Sequence, residues 1–220
     1  MYRLCILHRQ PLDESDWLLT VFSRQTGKQQ VITPRFRRQA QLDLNVVYEA
    51  GWKPDLDWPR IYAVNPLKHW DLRGDALLCG LYLNELLVRI LAPSEVLPAL
   101  YDRYEKTLSG LADGQHPEPW LRIFEYHLLA EMGYGFSWSS DSLGMPLNHL
   151  GRYDFELGRG LFQSPDGRYK AQWLLPLAGQ GAPGAESWVC AKHILRQAID
   201  SILDRPLHSR ELFSWRNEER

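Results

Sequence analysis

The sequence predicts an α+β protein: a small N-terminal barrel of five β-strands, followed by an α-helical bundle that carries a hairpin-containing excursion. Three observations predict it. Up to about residue 70, short apolar runs alternate with turn chemistry. From Asp71 the apolar residues recur at helical spacing, and residues 134–186 are rich in Gly, Pro and Ser. With 220 residues, 45% of them apolar and 24% charged, the chain can bury one large core or two small ones, and disorder is excluded as its general state.

Strands are expected near 2–8 (YRLCILH), 16–23 (DWLLTVFS), 28–33, 43–51 and 59–66. Thr26-Gly27 separates the second and third as a hairpin turn in which Gly27 supplies the positive φ. Five short antiparallel strands in about 70 residues suit a small barrel of the OB-fold or SH3-like kind, between which periodicity does not choose.

Asp75 is placed to cap a first helix carrying Leu78, Leu81, Tyr82, Leu86 and Ile90, and Pro93 ends it. Ser94 is placed to cap a second, with Leu97, Leu100, Tyr101, Tyr104, Leu108 and Leu111 on its apolar side. A third starts at PEPW, where prolines are tolerated in the first turn, and runs through Leu121, Phe124, Leu128 and Met132 to Gly133. Residues 134–186 predict a hairpin at GRYDFELGRGLFQS and a loose run AGQGAPGAES. A long helix over about 187–204 and a short turn at HSRELF complete the chain, so that domains are expected at 1–71 and 72–220.

Composition narrows the function classes. No stretch approaches the roughly 18 uncharged apolar residues of a membrane span, and MYRLCILHRQ is a poor export signal, so neither membrane nor secretion is expected. Cys5, Cys79 and Cys190 are odd in number and far apart, which fits plain core thiols in a reducing cytoplasm. No two of the seven histidines stand four apart, and there is no HExxH, phosphate loop, GxSxG or dinucleotide fingerprint. Acidic clusters such as PLDESD read as a solvated turn. The expectation is a protein without an active site, a metal or a cofactor.

Charge points to binding instead. The formal net charge is −2, yet residues 1–70 carry +3 and the rest −5. Within the basic third, TPRFRRQAQ gathers Arg35, Arg37 and Arg38, and Arg24, Lys28 and Lys53 add to it. Guanidinium groups pair bidentately with phosphate and read no sequence, while aromatic rings stack on bases. Of the tryptophans in this third, Trp17 opens an apolar strand and belongs in the core. Trp52 and Trp58 flank the loop KPDLD between the fourth and fifth strands, and each is a candidate to meet a base.

Several segments together resemble the RecO family of bacterial recombination mediators: GLYLNELLVRIL at 80–91, RIFEYHLLAEMGYG at 122–135, SRELF at 209–213, and more loosely LHRQPLDESDWLLTVFSRQTGK with the TPRFRR loop. The resemblance implies an OB-fold before the helical domain and a non-enzymatic role. It implies binding of single- and double-stranded DNA, strand annealing, and work with RecR to load RecA onto DNA coated by single-strand-binding protein (SSB), in the cytoplasm at the nucleoid. It also implies that the helical domain receives the acidic, phenylalanine-terminated tail of SSB, with Arg122, Leu121 and Phe124 at the matching place. The other possibility is an adaptor of the repair machinery with little DNA affinity of its own. Two departures stand out: relatives usually carry a longer basic loop, and some hold a four-cysteine zinc knuckle where this chain has SWSSDSLGMPLNHLGRYDFELGRGLFQS. That excursion is expected to be metal-free or rebuilt.

Overall fold

The computed structural model describes residues 1–34, 42–52 and 58–212. Its contacts divide the chain into two compact units, Met1–Pro117 together with Leu207 onward, and Glu118–Pro206. The second is therefore an insertion into the first.

Unit 1 begins with five antiparallel strands in the order β3-β2-β1-β4-β5: β1 Tyr2–Pro11, β2 Asp16–Ser23, β3 Gly27–Pro34, β4 Val46–Gly51 and β5 Tyr62–His69. Among the described residues no continuous ladder closes the sheet. One parallel bridge, Ile32 to Arg60, ties β3 to the segment leading into β5 through Ile32 N–H to Pro59 O and Ile61 N–H to Ile32 O, each 2.9 Å. The core between these strands is aliphatic and aromatic, built from Leu4, Ile6, Leu19, Val21, Val31, Tyr48, Trp52 and Ile61. Gly27 has φ 72° in the β2–β3 turn, and a Cβ there would meet the Glu95 carbonyl oxygen at 1.9 Å, so glycine is required twice over.

Two strand boundaries differ from expectation. Residues 44–45 turn before β4, because Asn45 takes the left-handed conformation (φ 61°) and its carbonyl accepts the Trp70 N–H at 3.0 Å. Residues 59–61, expected inside the fifth strand, pair with β3 instead, so β5 starts later and runs to His69.

Helices α1 (Asp75–Ile90) and α2 (Pro98–Ala112) group with the sheet, where Phe22 packs on Tyr101 and Tyr104 with ring centroids 5.4 and 6.5 Å apart. Neither expected cap holds. Gly74 occupies the N-cap of α1, with Asp75 inside the first turn, where its charge still complements the helix dipole. Ser94, at φ 63°, donates its N–H to Lys28 O, and the second helix waits until Leu97 caps it and Pro98 opens it. Cys5 lies fully buried against Tyr101, and burial pushes its thiol up to about 12, which makes it an inert core group. A helical segment at 208–212 returns to this unit, where Glu85 of α1 accepts the His208 and Ser209 N–H groups and the Ser209 hydroxyl at 2.9, 2.8 and 2.6 Å.

Unit 2 contains α3 (Pro117–Leu129), a three-stranded antiparallel sheet of β6 (Arg152–Glu156), β7 (Gly160–Gln163) and β8 (Tyr169–Lys170), a short α4 (Ala171–Leu174) with a following 3₁₀ turn, and α5 (Ala185–Ile202). After α3, residues 130–134 widen into a π turn that Gly133 ends at φ 81°, close to the predicted stop. The predicted hairpin is β6–β7. Between α3 and β6, side-chain oxygens fasten the loop: Ser137 Oγ accepts the N–H groups of Ser139 and Ser140, and Asp141 Oδ1 those of Leu143 and Met145. No helix among the described residues is long and apolar enough to cross a membrane.

Candidate functional site

In unit 1 the expected DNA-binding residues fall into three groups. Arg35, Arg37, Arg38 and Lys53 lie outside the described residues. Three others are engaged within the fold. Arg24 holds Asp102 of α2 through a bidentate pair at 2.8 and 3.0 Å. Lys28 extends under the sheet and donates Nζ to the Val88 carbonyl at 2.6 Å, near the negative end of the α1 dipole, and burial lowers its pKa. Trp52 is a core residue, 2% exposed, its ring 4.3 Å from that of Tyr2. Trp58 stands apart, 51% exposed at the start of the segment that bridges to β3.

In unit 2, Leu121 and Phe124 are core, 7% and 0% exposed. Arg122 lies between them in sequence but on another face of α3. It is 5% exposed, with Nη2 2.8 Å from Glu125 and Nε 3.5 Å from Glu118, whose other oxygen lies 3.6 Å from Lys192 of α5. Nη1 has no hydrogen-bond partner.

Beside this guanidinium opens a cavity of about 450 Å³, whose lining includes Arg122, Ile123, Tyr126, Trp138, Pro183 and Trp188. Two of its aromatic walls are locked. Tyr126 donates its hydroxyl to the Phe136 carbonyl at 2.6 Å and stacks on Trp138 at 5.5 Å, and burial raises its pKa. Part of the lining comes from the loop at the end of the 3₁₀ turn, where Gly179 and Gly181 have φ 86° and 102°. The shape suits an apolar ring, and the one guanidinium at its margin suits a carboxylate.

Of the three expected tail-binding residues only Arg122 lines this cavity. Ile123 and Tyr126, on the same stripe of α3, and Trp188, on α5, were missed. The first two carry a signal, since 122, 123 and 126 share one helical face. Trp188 carries none, because its nearness to α3 is a tertiary fact. Among the described residues no three His, Cys, Asp or Glu side chains gather where they could hold a metal.

Comparison with known proteins fixes the family. The family model for the recombination protein O C-terminal region matches residues 72–211. The chain belongs to the RecO family. It is 37% identical over 221 residues to the DNA repair protein RecO of Stutzerimonas stutzeri A1501, covering 94% of this chain and 91% of that one. It is 35% identical to RecO of Pseudomonas paraeruginosa PA7, with 97% and 94% covered, and 44% identical over 151 residues to RecO of Pseudomonas putida F1, with 66% of each covered. The RecO match therefore takes in both units, cavity included.

Proposed function

We propose that this RecO-family chain acts in DNA repair and recombination as a non-enzymatic mediator. In this reading unit 1 binds single- and double-stranded DNA and anneals complementary strands, while the unit 2 cavity takes the phenylalanine-terminated acidic tail of SSB. With RecR, the chain then helps load RecA onto SSB-coated DNA. The observation that carries this proposal is the cavity beside Arg122: apolar walls for a terminal phenyl ring, and a guanidinium whose Nη1 has no partner for the carboxylate next to it.

The test is anisotropy of a fluorescent peptide bearing an acidic, phenylalanine-terminated tail. Wild type binds, the peptide without its terminal phenylalanine does not, and Ile123→Glu, which puts a like charge at the mouth without touching the buried ion pairs, lowers affinity at least about tenfold. Equal binding of both peptides removes the proposal.

A second reading, an adaptor with little DNA affinity, is favoured by the engagement of Arg24, Lys28 and Trp52 within the fold. A salt series with labelled oligo-dT separates the two. If Arg35, Arg37 and Arg38 contact phosphates, changing all three to Ala flattens the log–log salt slope by roughly 2. Absence of binding even at low salt selects the adaptor.

A further inference from the structure

Residues 58–62, where the chain enters β5, have a burial pattern of period two. Trp58, Arg60 and Tyr62 are exposed, while Pro59 and Ile61 are buried. The alternation is enforced by the two backbone hydrogen bonds to Ile32, which hold residues 59–61 extended with Ile61 in the core. Side chains 58, 60 and 62 consequently share the outward side of one extended segment.

Each of the three is positioned by its surroundings. Arg60 donates Nη1 and Nη2 to the two oxygens of Asp16, both at 2.9 Å, so the guanidinium is fixed while its side chain stays 58% exposed over a carboxylate that is only 12% exposed. Tyr62 is 51% exposed, and its ring crosses Gly51, where a Cβ would meet Cε2 at 2.5 Å and Cζ at 2.7 Å. The β4–β5 register shifts between Glu49 and Gly51, and Ala63, next to Tyr62, has φ 48°. A bulge of this kind re-aims a side chain, and a non-glycine residue in the left-handed region persists only where its neighbours impose it. Two large rings, each about half exposed, thus stand two residues before and two after an ion-paired guanidinium in the basic third of the chain.

We propose that Trp58, Arg60 and Tyr62 form a stacking track for successive bases of single-stranded DNA. The inference rests on the DNA-binding reading above and adds to it where the bases go. Because Arg60 is already neutralised by Asp16, this track contributes ring-to-base contact and little phosphate neutralisation. Its signature therefore differs from that of Arg35, Arg37 and Arg38: affinity falls while the salt dependence stays.

The experiment is anisotropy with labelled oligo-dT and with an abasic oligonucleotide of the same length, across a salt series. Trp58→Ala and Tyr62→Ala each weaken oligo-dT binding by about fivefold or more with the slope unchanged, and Tyr62→Phe, which keeps the ring, restores it. The abasic strand, which needs no altered protein, binds wild type more weakly than oligo-dT, and the Trp58→Ala/Tyr62→Ala variant no longer distinguishes the two. If wild type binds oligo-dT and both Ala variants match it, the track is overturned while DNA binding by the barrel stands. If wild type binds neither strand, the DNA-binding reading falls and the track with it.

Discussion

The two units use their arginines in opposite ways. In unit 1, Arg3, Arg24 and Arg60 each hold a carboxylate from a distant part of the chain, Glu105, Asp102 and Asp16, and keep 42–58% of their side chains exposed while doing so. In unit 2, Arg122 is buried with Glu118 and Glu125 on its own helix and leaves a donor without a partner beside an apolar cavity. The difference teaches that charge near a surface and charge available to a ligand are separate quantities. The described cations of the basic third largely fasten the sheet to its neighbours. The cation proposed to meet a ligand carboxylate, Arg122, lies in the acidic part of the chain.

Breaking one pair in each unit sharpens the contrast. Arg122→Ala should cost the most, about 3 kcal/mol in urea unfolding, since it removes the guanidinium 2.8 Å from the buried Glu125 carboxylate. Loss of less than 1 kcal/mol would mean that water or a neighbour compensates the carboxylate and that the pair is weaker than its burial implies.

Glu85→Ala comes next, at about 1–2 kcal/mol, by removing three hydrogen bonds to the 208–212 segment. Burial alone would raise the Glu85 carboxyl, but the bonds from Ser209 and His208 outweigh it and hold the group below its usual 4.5. A depressed carboxylate stabilises the fold above its unfolded pKa and loses that contribution as pH falls through its folded one. The gap between wild type and variant should therefore be full at pH 7 and shrink below pH 4.5. A gap independent of pH would assign the effect to packing.

Arg24→Ala should do least. Its pair with Asp102 is exposed on both sides, and urea unfolding of the variant should overlay wild type, with any difference vanishing in high salt. A clear loss of stability would show that the β2–α2 connection depends on this pair.

How much of this was legible in the sequence varied with the range of the cause. β2 at 16–23 and the start of α1 near Asp75 follow from local pattern and appear where expected. The start of α2 does not, because Ser94 has the chemistry of a cap but sits at φ 63° with its hydroxyl accepting Gln29 Nε2 at 3.1 Å, more than sixty residues away. Trp52 and Trp58 flank one loop and looked alike. Packing on Tyr2 buries the first, and pairing of residues 59–61 with Ile32 turns the second outward, both through long-range contacts. Arg122 was found through its resemblance to a family position, whereas Trp188 enters the cavity only because α5 folds back beside α3.

The insertion of unit 2 also orders events during synthesis. In unit 1 residues 208 and 209 engage Glu85, yet the ribosome must first deliver the 89 residues from Glu118 to Pro206. At roughly 5–20 residues per second this takes about 5–20 s. During that interval the nascent sheet and its two helices stand with the Glu85 carboxylate unclasped, and unit 2 has time to fold before its parent closes behind it.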